Sequence, residues 1–578
     1  MRGAPLRFKR IIKRQTVSVP RSSRAKITIT SALIYANGEI HLGHVASTYL
    51  PPDVFTRYCR LKGYDVVHIG ATDDFGTPIL IRAEQEGKTP REYVRYWNKQ
   101  DKKDFARLGI SFDFFYKTSS NENIELTQYF FKRLNERGYL YTKEVSQPFC
   151  EVDQKFLPDR YVIGTCPFCG SPNQYSDGCE VCGRTFQPGE IKEARCAICG
   201  SRPVQKNSEH YFFRLSQFSR RLTEVLTSNS KLQAEVKNYV LNWIKEGLRD
   251  WDITRDIRWG VPIPLPEAKG KVLYGWFDNH IGYISSTLVY FKKRRRNGKR
   301  FWNSSTIYHF IGKDIIYHHY LFLQAMRLGL AGEFKLPDYI PTRGHLLLQG
   351  QKLSKSKGWY ISLSEFLDRF PPDYLRYYLA AITPYSQSDV NFDWHDFQAR
   401  INNELVANIG NFIHRVLTFV FDRFDAKIPA ADTYDQLDDD FQMELSRTPG
   451  IVESELERNH IERALKKIVD FTAYCNQYFQ RNEPWFQKVG TKTCIYLSVN
   501  AVKCLAILLN PFIPFTTKEL WRQLNLKGSI EKQKWDESAS LTVISGHTIP
   551  RPKPLFRKVT EEELAEQKEK LGKPVLTM

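Results

Sequence analysis

The first long apolar stretch, "ITITSALI" at residues 27–34, is a β-branched run of the kind that fills a buried strand. A helix-like stretch follows "HLGH". Next comes "YDVVHIGATDDFGTP", a second apolar strand that ends in acids and glycine. Such alternation predicts a parallel α/β sheet, whose ligands lie beyond the carboxyl ends of the strands. "KVLYGWFD" and "STIYHFIGKD" are also strand-like and would complete the sheet. A Cys-rich section at 150–200 interrupts the pattern as an inserted knuckle. Residues 350–395, with glycines and prolines, are expected to be loop-rich. From about 396 to 545 the period becomes helical, as in "ERALKKIVDFTAYCNQYF", with apolar residues at i, i+3 and i+4. The tail 546–578 should hold a proline-bearing linker and a short charged helix. No internal repeat is present.

A chain of 578 residues is too long for a single core, so three or more domains are expected. The apolar fraction of 42% and aromatic fraction of 13% exclude a disordered chain. No run of about 18 uncharged apolar residues occurs, so no membrane partner is expected. A net charge of +20 exceeds what solubility needs and points to a polyanionic partner, most simply a nucleic acid. Residues 1–26 form a basic extension with nine Lys/Arg and no acid before Glu39. That composition fits either a transit peptide or an arm that touches nucleic acid.

The cysteine pattern adds chemistry. Seven of eleven fall between Cys150 and Cys199, an arrangement that favours metal in a reducing compartment over disulfides. Cys166, Cys169, Cys179 and Cys182 form C-x2-C-x9-C-x2-C, a spacing at which four thiolates close a tetrahedral structural zinc site. Cys196 and Cys199 lack a second C-x-x-C partner. "CEVD" offers Cys150 and Asp153 at the same spacing, and a carboxylate oxygen can ligate zinc. In "GQKLSKSKG", residues 350–358, Lys352, Lys355 and Lys357 suit a mobile loop that closes over phosphates. His41 and His44 of "HLGH" stand at a helix start, where imidazoles, free N–H groups and the helix dipole all favour phosphate oxygens. Between them Gly43 would let a flat adenine lie on the backbone.

"HLGH" resembles the HIGH signature of class I aminoacyl-tRNA synthetases, and "KLSKS" resembles their KMSKS signature. "YANGEIHLGH", "FLPDRYVIGTCPFCG", "WDITRD", "HFIGKDIIYHH" and "DYLRYYLAA" are similar, in order, to segments of the methionyl-tRNA synthetase family. The likeness spans roughly 27–545. It implies a Rossmann-like parallel-sheet catalytic domain in two halves, 27–140 and 216–349, around a zinc-binding insertion at 141–215. A KMSKS-loop region at 350–395, a helical anticodon-binding domain at 396–545 and the tail 546–578 would follow.

The resemblance implies an ATP-dependent ligase that joins L-methionine to tRNA(Met) through methionyl-adenylate, with Mg²⁺ accompanying ATP and zinc as a structural ion. His41, His44, Lys352 and Lys355 would be catalytic, and Gly43, Gly312 and Asp314 would also meet ATP. Asp73 would receive the amino group, with Arg255 as its buried partner. Leu33, Tyr35, Trp276, Tyr283, Ile315 and His319 would wall the methionine pocket, since aromatic walls suit a polarisable thioether. Asn411 and Arg415, on one helical face, and Trp485 would read a CAU anticodon by edge contacts and stacking.

The family pattern is broken at Ile34, Phe75, Leu323 and the pair Asn279-His280, where small residues are usual. That pair is expected to turn away and hydrogen-bond elsewhere, with Leu323 leaving the room His280 takes. Isoleucine, valine and leucine ligases carry an editing insertion for which residues 140–250 leave no room. A cysteine ligase would bring its zinc ligands to the substrate pocket. The rival reading, a decayed paralogue that only binds tRNA, is disfavoured by intact His41, His44, Lys352, Lys355, Asp73 and Arg255. A cytoplasmic monomer is expected, with organellar targeting by residues 1–26 left open.

Overall fold

The structure is a computed structural model that describes residues 25–157, 161–176, 179, 181, 182, 190–355 and 357–572. All but the last two residues of the basic extension lie outside that range. Among the described residues, six strands form the central sheet: β1 (Lys26–Ser31), β2 (Ile34–Tyr35), β3 (Asp65–Asp73), β4 (Phe114–Lys117), β5 (Thr306–Gly312) and β6 (Thr342–Arg343). Every pairing is parallel. β1 lies between β5 and β3, β4 flanks β3, and β2 continues the line of β1 alongside the end of β3. From β1 the chain winds one way through β3 to β4, and later the other way through β5 to β6. The switch therefore falls between β1 and β5, where a doubly wound sheet opens its binding crevice.

The β-branched run in β1 is buried at five of six positions, as a strand covered on both faces must be. Between β3 and β4, helix Pro90–Leu108 is bounded by a capping box of Thr89 and Glu92 and by left-handed Gly109 at φ 79°. Both devices satisfy backbone groups that a helix end leaves unpaired.

"KVLYGWFD" is corrected. Val272–Leu273 joins a small antiparallel sheet with Thr254–Arg255 and Val261–Pro262, and helix Gly275–Lys293 begins immediately afterwards. The apolar residues of "WFDNHIGYISSTLVYF" bury nearly all round that helix, so no amphipathic stripe marked it in the sequence. β6 completes the sheet instead. Residues 350–395 are also corrected, because they carry helices Leu363–Arg369 and Pro372–Ile382. Ser362 caps the first by accepting the Glu365 amide, and Pro372 opens the second, a place where proline fits.

The insertion is an antiparallel ribbon, Leu140–Cys150 paired along its length with Val204–Phe213, and the cysteines lie beyond its far end. Beyond residue 393 the chain is helical, as expected, through Gln436–Glu457, Ile461–Asn482, Thr491–Leu509 and Pro514–Gln523. Thr491–Leu509 is long and apolar enough to cross a membrane, yet it is buried within the helical domain. The tail bears the expected charged helix, Glu561–Lys570. One hydrophobic cluster runs from β1 into the helical domain, with Tyr58 meeting Trp535 edge-on at 5.0 Å.

Candidate functional site

The carboxyl ends of β1, β3 and β5 open onto a cavity of about 840 Å³. His41 ends the loop after β2 with extended backbone, and His44 completes the first helical turn. Their rings stack at 3.6 Å, and the His41 amide donates to His44 Nδ1 at 3.2 Å. In a neutral imidazole that acceptor role leaves the proton on Nε2, free to donate to a ligand. His41 Nδ1 is buried with no partner among the described residues. Burial pushes His41 down to about 3 and His44 well below its usual range; Lys355 adds to both, and the His41 ring adds to the fall at His44. Both rings are therefore neutral donors, and positive charge for phosphates must come from elsewhere.

The lysine loop offers cations, and the segment that follows it is tied to the helix start: Leu363 N donates to Ile40 O and Leu42 N to Ile361 O. Lys352 lines the cavity. Lys355 does not. Its Nζ donates to Glu39 O at 2.8 Å, and burial lowers its pKa. A Cβ on Gly43 would lie 2.6 Å from Leu353 Cδ1 and 3.0 Å from the His41 ring. The glycine thus accommodates Leu353, which covers the face expected to receive adenine. Gly43 itself still borders the cavity.

Gly312 and Asp314 follow β5 and line the same cavity, and Asp314 lies 3.4 Å from His345 Nε2. Burial would raise the Asp314 carboxyl, but the His345 hydrogen bond and charge bring it below its usual range. Leu33, Tyr35, Arg255, Trp276, Ile315 and His319 also line the cavity, as do Asp73 and Tyr283. His319 Nδ1 donates to Ile315 O at 3.0 Å, so Nε2 accepts the Tyr283 hydroxyl at 2.8 Å. Trp276 is held flat against His318 at 3.7 Å.

Asp73 has a different partner from the one expected. Asn279 Nδ2 donates to Asp73 Oδ2 at 3.1 Å. Arg255 lies 3.9 Å over the Tyr274 ring, with Nη1 3.5 Å from Asp252. Burial, with the adjacent Asp74, pushes Asp73 up to about 7, against the pull of the Asn279 amide and the Phe75 backbone amide. Asn279 therefore faces the cavity, against the expectation that it turns away, because a buried carboxylate offers it a stronger acceptor than any surface group. His280 does not line the cavity. It is buried with both ring nitrogens unpartnered among the described residues, 4.9 Å from His319. Ile34 and Phe75 form part of the wall, and Leu323 is in the core behind it. The sequence reading missed His318, His345 and Leu353. Only the family break at Asn279 was visible, without its role.

Both donor quartets assemble. In each, four ligand atoms lie within 4.8 Å of one another. Cys166–Cys182 and Cys169–Cys179 are 3.8 and 3.5 Å apart at sulfur, close to the edge of about 3.8 Å that a tetrahedron of 2.3 Å Zn–S bonds requires. Amides of Phe168 and Cys169 point at Cys166 Sγ, as thiolate ligands need. Asp153 Oδ2 lies 3.2 and 3.1 Å from the sulfurs of Cys150 and Cys196. The residues fit two structural zinc ions, and neither quartet borders the cavity.

In the helical domain Asn411 Nδ2 donates to Asn476 Oδ1 at 3.5 Å, and Arg415 Nη2 to Gln480 Oε1 at 3.2 Å. Asn476 and Gln480 lie one turn apart on Ile461–Asn482, which ends just before Trp485. Trp485 is 37% exposed and Phe486 63%. The three expected residues thus share one end of the domain.

Neutral imidazoles at a helix start, opposed by a lysine loop on a doubly wound sheet, suit nucleotidyl transfer, and the helical domain exposes the aromatic pair Trp485 and Phe486. Together they define a class I aminoacyl-tRNA synthetase. The family described as "tRNA synthetases class I (M)" matches residues 27–417, and "Anticodon-binding domain of tRNA ligase" matches 438–569. The methionine–tRNA ligase of Methanopyrus kandleri is 42% identical over 552 residues, 94% of this chain and 81% of that protein. That of Pyrococcus abyssi is 43% identical over 556 residues, 93% and 76%. The methionyl-tRNA synthetase of Mycobacterium tuberculosis, solved with methionyl-adenylate, shares the fold at a TM-score of 0.77 and 22% identity, covering 92% of this chain and all of that one. The chain belongs to the methionine–tRNA ligase family.

Proposed function

We propose that the protein activates L-methionine with ATP and transfers it to the 3′ end of tRNA(Met). The carboxylate oxygen of methionine attacks the α-phosphorus, the bond to pyrophosphate breaks, and methionyl-adenylate forms. A ribose hydroxyl of the tRNA end then attacks the carbonyl, and AMP leaves. The observation that carries this reading is that one cavity gathers both imidazoles, a buried carboxylate and an aromatic wall. Asp73 receives the ammonium. Trp276 and Tyr283 flank the thioether. His44 Nε2–H and His41 hold phosphate oxygens without adding charge, and Lys352 neutralises them. Lys355 is held at the Glu39 carbonyl, two residues before His41, and enters as pyrophosphate departs, so its charge acts mainly in the transition state. Mg²⁺ accompanies ATP. Cys166, Cys169, Cys179 and Cys182 would hold one zinc, and Cys150, Asp153, Cys196 and Cys199 a second, each tying the insertion together.

Asn411, Arg415 and Trp485 read a CAU anticodon, and the protein acts as a monomer. The cytoplasm is the compartment we assign to it, with an organelle as the alternative; seven of the eleven free cysteines gather at the two quartets, a pattern that suits a reducing environment. Amino-acid-dependent ATP–pyrophosphate exchange tests the reading. Methionine should win among the twenty amino acids, and Lys355→Ala should slow exchange by about 100-fold or more with the KM for methionine changed little. A wild type that prefers another amino acid, or a mutant with normal exchange, would overturn it.

A further inference from the structure

Asp73 lies in an electrostatically costly place. It ends β3 beside Asp74, and Asp278 of helix Gly275–Lys293 approaches from the other side; all three carboxyl groups are buried. Both Asp278 oxygens lack a partner among the described residues. Burial and the two neighbouring acids push Asp278 well above its usual range, so it stays protonated and neutral. Asp74 is raised to about 6 by burial, against hydrogen bonds from Ser119 and Thr72. Tyr283 comes from the same helix as Asp278, Tyr35 pairs beside Asp73 on β2, and Arg255 faces the same cavity. Crowded acids of this kind share their protons. Nothing in such a cluster keeps Asp73 ionised unless a donor reaches it.

Asn279 is the side-chain donor, and it acts beside the Phe75 backbone amide, which also favours the charged form. Its amide nitrogen is 3.1 Å from Asp73 Oδ2, and the residue is 7% exposed at the cavity wall. The other oxygen, Asp73 Oδ1, is buried with no hydrogen-bond partner among the described residues. A carboxylate with one oxygen held and the other orphaned presents a single acceptor, in a fixed direction, to a cation. We infer that Asn279 is a positioning residue for amino-acid recognition, which holds Asp73 so that Oδ1 meets the α-ammonium of the substrate. This rests on the methionine-activating reading of the cavity. It gives a role to a residue at which the family pattern is broken.

The ammonium requires ionised Asp73, so kcat/KM for methionine rises with pH as Asp73 loses its proton. A hydrogen bond to the charged form lowers the pKa, and removing it moves that limb to higher pH. In pyrophosphate exchange, Asn279→Ala should shift the limb upward by about one pH unit. At pH 6.5 kcat/KM should fall about tenfold, while at pH 8.5 it should change less than threefold. The KM for ATP should not move. 4-Methylthiobutanoate, which is methionine with hydrogen in place of the amino group, should inhibit wild type and variant equally. Asn279→Asp keeps the shape, cannot donate when ionised, and should shift the limb further; it also serves if the alanine variant folds poorly. An unmoved limb in both variants, or equal weakening of methionine and its deaminated analogue, overturns the inference. A wild type that does not activate methionine would instead overturn the function proposed above.

Discussion

Arg376→Met should destabilise the protein by about 4 kcal/mol. Arg376 and Asp53 are both fully buried, with Nη2 2.7 Å from Oδ2. Asp53 is also held by Arg57 at 2.9 Å and by the Ser111 amide and hydroxyl at 2.7 and 2.6 Å. Burial alone would raise its carboxyl, but the two guanidiniums and Ser111 hold it far below the usual range. The Arg376 guanidinium also serves the carbonyls of Phe512 and Pro511 at 2.9 and 2.8 Å. Methionine keeps the volume and offers no donor. Breaking a buried pair costs about 3–5 kcal/mol, and the two orphaned carbonyls would add about 1–3 kcal/mol each. Arg57 remains on Asp53, and water reaches a loosened turn, so the sum falls back to about 4 kcal/mol.

Urea unfolding followed by circular dichroism measures this, and Asp53→Asn in the same background separates the charge from the packing. The double variant should recover about 2 kcal/mol, because the buried carboxylate that has lost one of its two guanidiniums is replaced by a neutral amide. Asp53 titrates lower folded than unfolded, so its contribution is complete above about pH 4 and is lost as pH falls. Arg376→Met should therefore bring acid unfolding to higher pH. The pair joins helix Leu50–Leu61, which follows the histidine turn, to the Pro511–Phe512 turn of the helical domain. tRNA charging should accordingly fall more than pyrophosphate exchange. A neutral-pH loss under 1 kcal/mol, or a double variant no better than the single, would refute the reasoning.

Elemental analysis should find two zinc ions per chain. Asp153→Ala should leave about one and Cys166→Ser should release the other, with limited proteolysis reading the loosened insertion; one zinc in the wild type would leave Asp153 a bystander. Trp485→Ala should raise the KM for tRNA by roughly 5- to 150-fold, the worth of one base stack, while exchange without tRNA stays unchanged. Equal loss in both assays would make Trp485 a packing residue.

What could be read from the sequence was local. The strand–turn–helix around His41 and His44 and the quartet from Cys166 to Cys182 declare themselves because spacing and chemistry coincide within a few residues. The resemblance to class I synthetases then carried Gly312, Asp314 and Trp276 to positions where the structure brings the first two and the aromatic wall around one cavity. The missed elements are those whose identity depends on distant partners. Val272–Leu273 looked like a sheet strand by composition, but β5 has β6 as its neighbour, so no edge was left for it. Helix Gly275–Lys293 is covered on nearly all sides and shows no polar stripe. The prolines at 371 and 372 looked like breakers because a proline's effect depends on whether a helix is already running.

The same reasoning explains why the site's surprises lie around Asp73 and Gly43. A break in a family pattern marks a position without saying what the new side chain meets. Asn279 is 206 residues from Asp73, and only the fold decides whether that amide faces solvent, core or carboxylate. Its neighbour took the opposite course: His280 went behind the wall, unpartnered and kept neutral by burial and by the adjacent histidines. An imidazole can lose its charge at modest cost near neutral pH, whereas a buried Asp73 that must bind an ammonium cannot. The two substitutions therefore solve different problems. Asn279 supports a charge the reaction needs, and His280 fills volume in a form that asks for none.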